Sequence, residues 1–426
     1  MIGTISRRKV IGGSVVAAAA LAVWNRPSDH SGERSDYFIG LQAALERAGI
    51  AVPTLVIDRN RLDANIAQLK RDLPAGMAYR VVAKSLPSLD LLDHIRKGTG
   101  TNRLMVFNQP MLQALANAMP DADLLLGKPL PARAAQALFD AGLSDAALER
   151  IHWLIDSPDR LAQYRQLAQT RNKPLKLALE IDVGLHRGGM VAGEAFGQVL
   201  TAIKADPKLQ FSAMMGYEPH VPKVPELFGQ RRRALGHAWD TYTQAQDQVR
   251  EMLGEAELSA AIRNAAGSPT YRLYKDTRVA NEVSVGSTLV KPVEFDSELL
   301  KVHQPAAFIA TPVIKGPLDS SLPFGFGLVG KLQSLWDPNS RKTVFIYGGH
   351  WLALPEDPPG LQYNSLAGRS SNQELLNAGE QLAIKSDEFV FLRPTQAESV
   401  LTQFGEIAVF DGHKITQRWP VFPSTP

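Results

Sequence analysis

The sequence predicts an α/β fold in which a (β/α)8 barrel is followed by a smaller, mostly β domain. Between residues 50 and 290, apolar runs of strand length alternate with helix-length segments. There are eight such runs, the number of parallel strands that closes a barrel of this kind. Beyond Lys291, proline and glycine become more frequent and the helical periodicity ends, which indicates a β-rich domain.

The eight apolar runs have the length and composition of buried parallel strands. They are Tyr79–Ala83, Arg103–Phe107, Leu124–Gly127, Ile151–Ile155, Leu175–Ile181, Phe211–Gly216, Ala260–Ala265 and Val283–Val285. Several segments between them begin with proline, which is favoured in a first helical turn. The predicted helices include Pro87–Lys97, Pro131–Ala141, Pro158–Thr170, Gly193–Ala205 and Gln230–Leu253. Since periodicity does not distinguish a closed barrel from an open, doubly wound sheet, the open sheet stays an alternative.

Four shorter runs carry the prediction for the C-terminal domain. They are Ala307–Val313, Thr343–Tyr347, Glu388–Leu392 and Glu406–Phe410. The predicted organisation is therefore a signal and linker in residues 1–35, the barrel in residues 36–290 and the β domain in residues 291–426.

Composition excludes several classes of protein. Of 426 residues, 45% are hydrophobic and 21% are charged, as in a soluble protein with a sizeable core. The 46 basic and 43 acidic residues leave a net charge of +3, too small an excess to predict nucleic-acid binding. With no cysteine, the chain has no disulfides, thiolate metal sites or cysteine nucleophiles.

The N-terminus has the layout of a twin-arginine export signal. Arg7 and Arg8 precede an apolar, alanine-rich run, Val10–Trp24, in which residues 20–22 offer a small-residue cleavage site. The run is short for a membrane span. We expect a periplasmic protein whose signal is either cleaved or kept as an anchor. The alternative is a chance pair of arginines before an alanine-rich helix.

Lys84 is the residue on which the functional prediction depends. It follows the first predicted barrel strand, and reactive groups in such barrels lie at the C-terminal ends of strands. A desolvated lysine amine loses its proton more easily and forms a Schiff base with an aldehyde, which is the chemistry of pyridoxal phosphate. The alternative is a solvated lysine with no catalytic role.

Polar or glycine-rich loops follow the last four predicted barrel strands. The loop after the fifth strand carries Arg187, and the loop after the sixth carries Tyr217 and His220. Turns that combine glycine with hydroxyl side chains follow the seventh and eighth strands, and such turns permit close approach to a phosphate. Their residues are Gly267, Ser268 and Thr270 in the first turn and Gly286 and Ser287 in the second. Each of these loop residues alone is commonly structural, but their order around one rim of the barrel predicts a cofactor-binding site.

Short motifs between residues 50 and 420 resemble a known family and occur in its order. They are Pro53–Asp58 with Leu62, Asn65 and Ile66; Tyr79-Arg80 with Lys84; Glu180–Gly184 with Arg187; Gly216–Glu218 with His220; Gly267-Ser268 with Thr270; Glu282 with Gly286-Ser287; and Arg418–Pro420. The family is that of the fold-type III pyridoxal phosphate enzymes, which share the alanine racemase N-terminal domain. Within it, the chain is similar to the D-threonine aldolase and D-serine dehydratase-like group.

The resemblance implies a role for each matching residue. Lys84 would form the Schiff base with pyridoxal phosphate, Arg187 would bind the phenolic oxygen of the cofactor, and Tyr217 and His220 would lie beside the ring or the substrate. The phosphate would be held by the residues of both turns, namely Gly267, Ser268, Thr270, Gly286 and Ser287. The resemblance also implies a homodimer.

One motif departs from the family. Aldolases and dehydratases of this group carry a C-terminal Pro-Asn-His-x-Cys or Pro-Asn-His-x-Asp motif whose side chains bind a divalent metal. The corresponding residues here are Gln396 and Glu398, so glutamine replaces the histidine. Carboxylate and amide oxygens suit a hard cation better than zinc, and a metal bound by this pair is therefore expected to be weakly held.

The predicted function is a pyridoxal-phosphate-dependent lyase of small D-amino acids, with D-3-hydroxy amino acid aldolase or dehydratase activity. Amino-acid racemisation is the alternative, since it needs acid–base groups on both faces of Cα but no metal. A non-catalytic carrier of pyridoxal phosphate and a structural relic also stay open.

Overall fold

The computed structural model describes residues 26–321, 334–364 and 367–423. The predicted export signal lies outside the described residues. The chain forms two compact units, which we call the β unit and the barrel unit. The β unit contains the chain up to Thr54, Phe308–Arg393 and His413–Ile415, and the barrel unit contains Leu55–Ala307, Pro394–Gly412 and the chain from Thr416 onward.

A closed barrel of eight strands, paired in parallel, forms the centre of the barrel unit, so the predicted fold class is confirmed and the open sheet is wrong. The last barrel strand pairs with the first and closes the ring. The strands are β2 (Ala78–Val82), β3 (Arg103–Val106), β4 (Asp123–Leu126), β5 (Ile151–Ile155), β6 (Leu175–Ile181), β7 (Leu209–Gly216), β8 (Ile262–Ala265) and β9 (Glu282–Val285).

Helices cover the outside of the barrel and bury one apolar face each. Those after β2, β3 and β5 begin where a Ser or Asn side chain accepts a hydrogen bond from a backbone N–H of the first turn. The helices of this unit are α2 (Arg59–Asp72), α3 (Leu89–Thr99), α4 (Gln109–Ala118), α5 (Ala132–Asp140), α6 (Asp145–Leu148), α7 (Pro158–Arg171), α8 (Glu194–Ala205), α9 (Gln230–Leu253), α10 (Glu255–Ala260) and α11 (Ala397–Val400).

A buried ion-pair network lies at the N-terminal ends of the barrel strands. The Arg80 guanidinium on β2 is fully buried and contacts Glu282 on β9 at 2.6 Å and Asp123 on β4 at 2.7 Å. Arg103 on β3 contacts the other Glu282 oxygen at 2.6 Å. Buried charges persist only when they are paired, so this network ties four strands together at the end of the barrel away from Lys84.

The β unit is built from antiparallel strands and one helix. Strand β10 (Ala307–Asp319) pairs with β11 (Lys342–Tyr347) and β15 (Phe389–Pro394), and β11 pairs with β14 (Gln373–Ala378). The edge strands are β12 (Ala353–Asp357) and β13 (Gln362–Tyr363). Helix α1 (Asp36–Arg47) packs on this sheet through Phe38, whose ring centroid lies 5.2 Å from that of Phe308 and 4.9 Å from that of Phe391.

The two units interleave along the chain, which differs from the predicted division at residue 290. Residues 36–54 group with the β unit because α1 packs there. The predicted β run Glu406–Phe410 is strand β16 and groups with the barrel unit, because it pairs in parallel with β1 (Thr54–Asp58). The last strand is β17 (Ile415–Pro420). Among the described residues, no helix combines the length and apolarity that crossing a bilayer requires.

Candidate active site

A cavity opens at the C-terminal ends of the barrel strands. Its lining comes from residues that end or follow β2, β3, β4, β6, β7, β8 and β9, together with Phe295 and Glu398. All of these residues belong to the barrel unit. The walls combine apolar side chains with a few polar groups, as is typical of sites for small molecules.

Lys84 lies in a 3-10 turn, Ala83–Ser85, directly after β2. Its side chain is 40% exposed, and its Nζ atom lies 3.5 Å from Glu398 Oε1 and 4.7 Å from the centroid of the Phe107 ring. Phe107 approaches so closely because Gly127, at the end of β4, has no side chain. A Cβ atom there would lie 2.3 Å from the ring. The amine therefore faces the cavity between a carboxylate and an aromatic surface.

The two predicted glycine–hydroxyl turns meet beside Lys84, since β9 is the barrel neighbour of β2. Ser268 Oγ accepts hydrogen bonds from the backbone N–H groups of Gly286 and Thr288, each at 3.2 Å. Ser287 Oγ donates to Ser85 Oγ at 2.8 Å. Because Ser268 accepts both bonds, its own O–H is left to donate to a ligand.

Close packing explains both glycines at these turns. A Cβ atom on Gly267 would lie 2.3 Å from Cε2 of Tyr217, and one on Gly286 would lie 2.7 Å from the carbonyl oxygen of Val82. The backbone there runs directly against the cavity wall. Gly267, Ser268 and Ser287 line the cavity with Lys84, whereas Thr270 supports it by accepting a hydrogen bond from the Gly267 N–H at 3.1 Å.

Arg187 and Tyr217 also line the cavity, on the side of β6 and β7. The Arg187 guanidinium carbon lies 5.4 Å from the centroid of the Tyr217 ring. Burial, followed by the charge of Glu218, raises the pKa of Tyr217 to about 12, and Arg187 only partly opposes this. Tyr217 is therefore a neutral phenol at physiological pH and donates a hydrogen bond instead of accepting a proton.

Glu218 is fully buried behind this wall. Tyr274 donates a hydrogen bond to its Oε2 atom at 3.2 Å. Burial raises the pKa of Glu218 from 4.5 to about 7, although hydrogen bonds from Thr270 and Tyr274 oppose the shift. The folded protein therefore holds this proton more tightly than the unfolded chain does.

This proton gives a testable pH dependence of stability. Because the folded-state pKa is raised, the stabilising contribution of protonated Glu218 is complete below pH 4.5 and is lost as pH rises through about 7. In the wild type this lowers the free energy of unfolding by about 3 kcal/mol as pH rises, and Glu218→Gln, which cannot ionise, is expected not to show that decrease. Urea unfolding at pH 5 and pH 8 measures the change. The exposed variant Glu149→Gln serves as control, and an unchanged pH profile in Glu218→Gln contradicts the prediction.

His220 does not line the cavity that Lys84 lines. A Cβ atom on Gly184, in the loop after β6, would lie 3.8 Å from His220 Nε2. Burial lowers the pKa of His220, the charge of His186 adds to the effect, and Asp182 opposes it. Of the two residues that the sequence prediction placed beside the cofactor, Tyr217 lines the cavity and His220 does not, so we leave His220 out of the proposed reaction.

The predicted metal-binding pair does not form a ligand set. The Gln396 amide nitrogen donates to both carboxylate oxygens of Glu294, at 2.8 and 2.9 Å. Glu398 instead lies beside Lys84. Within the described parts of the chain, no three His, Asp or Glu side chains are grouped closely enough to hold a metal ion.

Several cavity residues were missed by the sequence analysis, above all Asn264 on β8 and Ser284 on β9. Asn264 Nδ2 donates to Glu282 and to Ser284, each at 2.8 Å, while its buried Oδ1 atom has no partner in the described structure. Neither stands out in the sequence, because β8 also carries Arg263 and β9 also carries Glu282. An unpaired buried acceptor in a cavity wall indicates a ligand that donates a hydrogen bond.

The residues present fit pyridoxal phosphate. Lys84 supplies the amine for the aldehyde, and Gly267, Ser268 and Ser287 form a cradle beside it, in which the Ser268 O–H is free to donate to a phosphate. Arg187 supplies the positive charge that suits a phenolate. The unpaired Asn264 Oδ1 is a suitable acceptor for a protonated ring nitrogen.

Comparisons with known proteins show the family to which the chain belongs. The family described as alanine racemase, N-terminal domain, matches residues 57–292. A curated 3-hydroxy-D-aspartate aldolase from Paracoccus denitrificans (strain Pd 1222) is 24% identical over 331 residues, which is 71% of this chain and 82% of that protein.

Two solved structures share the fold over most of the chain. D-threonine aldolase from Filomicrobium marinum superposes with a TM-score of 0.69 at 16% identity, covering 88% of this chain and 95% of the other. D-threo-3-hydroxyaspartate dehydratase from Delftia sp. HT23 superposes with a TM-score of 0.66 at 16% identity, covering 88% and 98%. The whole two-unit chain, and not the barrel alone, therefore has structural counterparts.

Proposed function

Because the chain belongs to the alanine racemase N-terminal domain family, whose members depend on pyridoxal phosphate, we propose that it is a pyridoxal-phosphate-dependent lyase of D-3-hydroxy amino acids. The observation that carries the proposal is that the Lys84 amine and the glycine–hydroxyl turns at Gly267 and Ser287 line one cavity. The names of the similar proteins support the substrate class, since they are aldolases and dehydratases of D-3-hydroxy amino acids.

Pyridoxal phosphate, when bound, supplies an aldehyde that links to amines and a conjugated ring that stabilises negative charge at Cα. Lys84 would supply the amine that holds the aldehyde, and once displaced by a substrate amine it would be placed to move a proton at Cα. Ser268, whose O–H is free to donate, and the backbone at Gly267 would hold the phosphate, with Ser287 beside them in the cavity wall. Arg187 would bind the phenolic oxygen, and the Tyr217 hydroxyl would donate a hydrogen bond without taking a proton.

Apolar side chains form part of the cavity wall beside the Lys84 amine. The Phe107 ring covers the Lys84 amine on one side, and Met105 and Met215 line the cavity between the strands.

A substrate panel tests the proposed function. Purified protein loaded with pyridoxal phosphate is incubated with the D- and L-forms of serine, threonine, alanine and 3-hydroxyaspartate, with Mn²⁺ or with EDTA. Glycine plus an aldehyde establishes aldol cleavage, and a 2-oxo acid plus ammonia establishes dehydration. Enantiomer exchange without either product contradicts the lyase and establishes racemisation. Cofactor binding without turnover establishes a carrier.

The glycine cradle gives a prediction for cofactor affinity. In Gly267→Ala the new Cβ must displace the Tyr217 ring from a 2.3 Å contact, and overpacking of this kind costs about 1–3 kcal/mol. We expect pyridoxal phosphate to bind about tenfold or more weakly, measured by absorbance titration. Gly405→Ala is the matched control, because nothing lies within 4 Å of its added Cβ. Equal affinity in the two variants is the result that contradicts the cradle.

We also propose that the protein is exported through the twin-arginine route and acts as a homodimer. The support is the order of Arg7, Arg8 and the apolar run that follows them. Replacement of both arginines by lysine is expected to retain the protein in the cytoplasm, which cell fractionation measures. Sedimentation of the mature protein measures its oligomeric state.

A further inference from the structure

Cleavage of a D-3-hydroxy amino acid between Cα and Cβ needs a group that takes the proton of the β-hydroxyl. The resemblance implied that a bound metal and its ligands assist this step. The Gln396 amide nitrogen is held by Glu294 through two hydrogen bonds, and an amide nitrogen of this kind is a donor that does not ligate metals. Glu398 lies beside Lys84 instead, and among the described residues no three His, Asp or Glu side chains are grouped closely enough to hold an ion, so the residues at the motif do not fit a divalent cation.

Glu398 is the carboxylate that reaches the cavity from this motif. It lies in the short helix α11 and lines the cavity with Lys84. Its Oε1 atom lies 3.5 Å from Lys84 Nζ, and its Oε2 atom accepts a hydrogen bond from Ser85 Oγ at 3.5 Å. These contacts are long for hydrogen bonds, and the side chain is 37% exposed, so both oxygens keep room for a substrate hydroxyl.

A hydroxyl chain orients this carboxylate relative to the cofactor cradle. Ser287, in the turn after β9, donates to Ser85, and Ser85 donates to Glu398. The carboxylate is thereby positioned by the same turn that faces the phosphate side of the cavity. A carboxylate that shares a cavity wall with the Lys84 amine lies where a general base for a substrate bound at that amine is needed.

We propose that Glu398 is the general base for the β-hydroxyl of the substrate and that the cleavage needs no divalent metal. This inference rests on the proposed function. The hydroxyl proton passes to the Glu398 carboxylate, and the O–H electron pair forms the second bond of the aldehyde carbonyl. The Cα–Cβ bond breaks, its electron pair stays on Cα, and a proton from the Glu398 and Lys84 pair then reaches Cα. The products are the aldehyde and glycine, with no net change in oxidation state.

The test compares Glu398→Gln with Glu294→Gln, both assayed as holoenzymes with D-threonine and D-3-hydroxyaspartate in EDTA. Glu294 is an exposed carboxylate that bonds Gln396 and does not line the cavity, so its variant is the matched control. We expect Glu398→Gln to lower kcat for glycine release by about 10²-fold or more, as for loss of a general base. Glu294→Gln and EDTA are expected to leave the rate within about threefold of the wild-type rate measured without chelator.

Binding measurements separate a catalytic role from a structural one. Glu398→Gln is expected to keep the visible band of lysine-bound pyridoxal phosphate and to unfold at the same temperature as the wild-type protein. D-Alanine, which lacks the hydroxyl, is expected to inhibit wild type and variant with inhibition constants within about threefold. Glu398→Asp is expected to recover part of kcat. A variant that loses cofactor or D-alanine binding to the same extent as kcat overturns the base assignment.

The remaining outcomes separate this inference from the proposed function. Full activity of Glu398→Gln overturns the base assignment alone. Loss of wild-type activity in EDTA with recovery in Mn²⁺ overturns the metal-free reaction alone. A wild-type enzyme that releases no glycine from any D-3-hydroxy amino acid overturns both the inference and the proposed function.

Discussion

Lys84→Ala is expected to abolish both the visible absorption band of bound pyridoxal phosphate and the lyase activity. The lysine that lines the cavity is the one amine positioned to link the aldehyde within the described barrel, and exposed lysines elsewhere do not reach it. Loss of a residue that forms the covalent link lowers kcat by at least about 10³-fold. Absorbance of the purified, cofactor-saturated variant and the glycine-release assay measure the two effects.

Lys128→Ala is the matched control for this result. Lys128 is exposed and follows β4 at the same end of the barrel, but it does not line the cavity. We expect this variant to keep the absorption band and the wild-type rate. Lys84→Arg keeps the positive charge beside Glu398 but cannot form the covalent link, so it is expected to resemble Lys84→Ala. A band that survives in Lys84→Ala refutes the assignment.

The position of Lys84 was predictable because strand ends can be located from apolar runs. All strands of a parallel barrel end at the same rim, so the residues that directly follow different apolar runs lie at the same end of the barrel. The same reasoning placed Arg187, Tyr217 and both glycine–hydroxyl turns around one cavity. It was less successful for His220, because a residue three positions further along a loop is directed by the local turn and not by the strand.

Asn264 and Ser284 could not be assigned from the sequence. Both lie inside strands, and whether a strand residue points into or out of a barrel depends on the stagger between strands, which a single sequence does not state. Phe107 was included at the end of an apolar run, where its ring is indistinguishable from a core residue. Its contact with Lys84 depends on Gly127, which belongs to the next strand.

The path of the C-terminal segment was also beyond local reasoning. Glu398 reaches the cavity because the chain returns to the barrel unit after Arg393, where β16 pairs with β1. That pairing joins residues about 350 positions apart, and no periodicity within either strand specifies it. The change in residue texture beyond Lys291 therefore predicted a β-rich region, but not that it begins at Phe308, that it includes the chain up to Thr54 or that the chain leaves it again.

Arg80→Met is expected to lower the free energy of unfolding by about 3–5 kcal/mol, the largest stability effect that we expect from a single substitution. The guanidinium is fully buried, contacts Glu282 and Asp123, and donates to the carbonyl oxygens of Leu104 and Asp123. Removal of the guanidinium leaves the fully buried Glu282 carboxylate with only Arg103 and Asn264 as side-chain hydrogen-bond donors among the described residues. Urea unfolding measures the loss. The control is Arg278→Met, which breaks the exposed ion pair of Arg278 with Asp276, and its free energy of unfolding is expected to lie within about 0.5 kcal/mol of wild type.

Acid sensitivity gives an independent check on the same network. Burial raises the pKa of Glu282, but the charges and hydrogen bonds of Arg80 and Arg103 outweigh burial and lower it. A lowered folded-state pKa means that this stabilisation is present above the unfolded value of 4.5 and is lost as pH falls. Arg80→Met is therefore expected to destabilise the protein more at pH 7 than at pH 4.

The double variant Arg80→Met/Glu282→Leu decides whether the cost comes from the lost attraction or from the charge left behind. If an unpaired buried carboxylate causes most of the destabilisation, replacing Glu282 as well is expected to recover part of the 3–5 kcal/mol, since apolar side chains often replace buried ion pairs without loss. Arg103 then loses its partner, but its side chain is 37% exposed and can be solvated. A double variant less stable than Arg80→Met would instead show that Glu282 stabilises the barrel through Asn264 and Arg103, independently of Arg80.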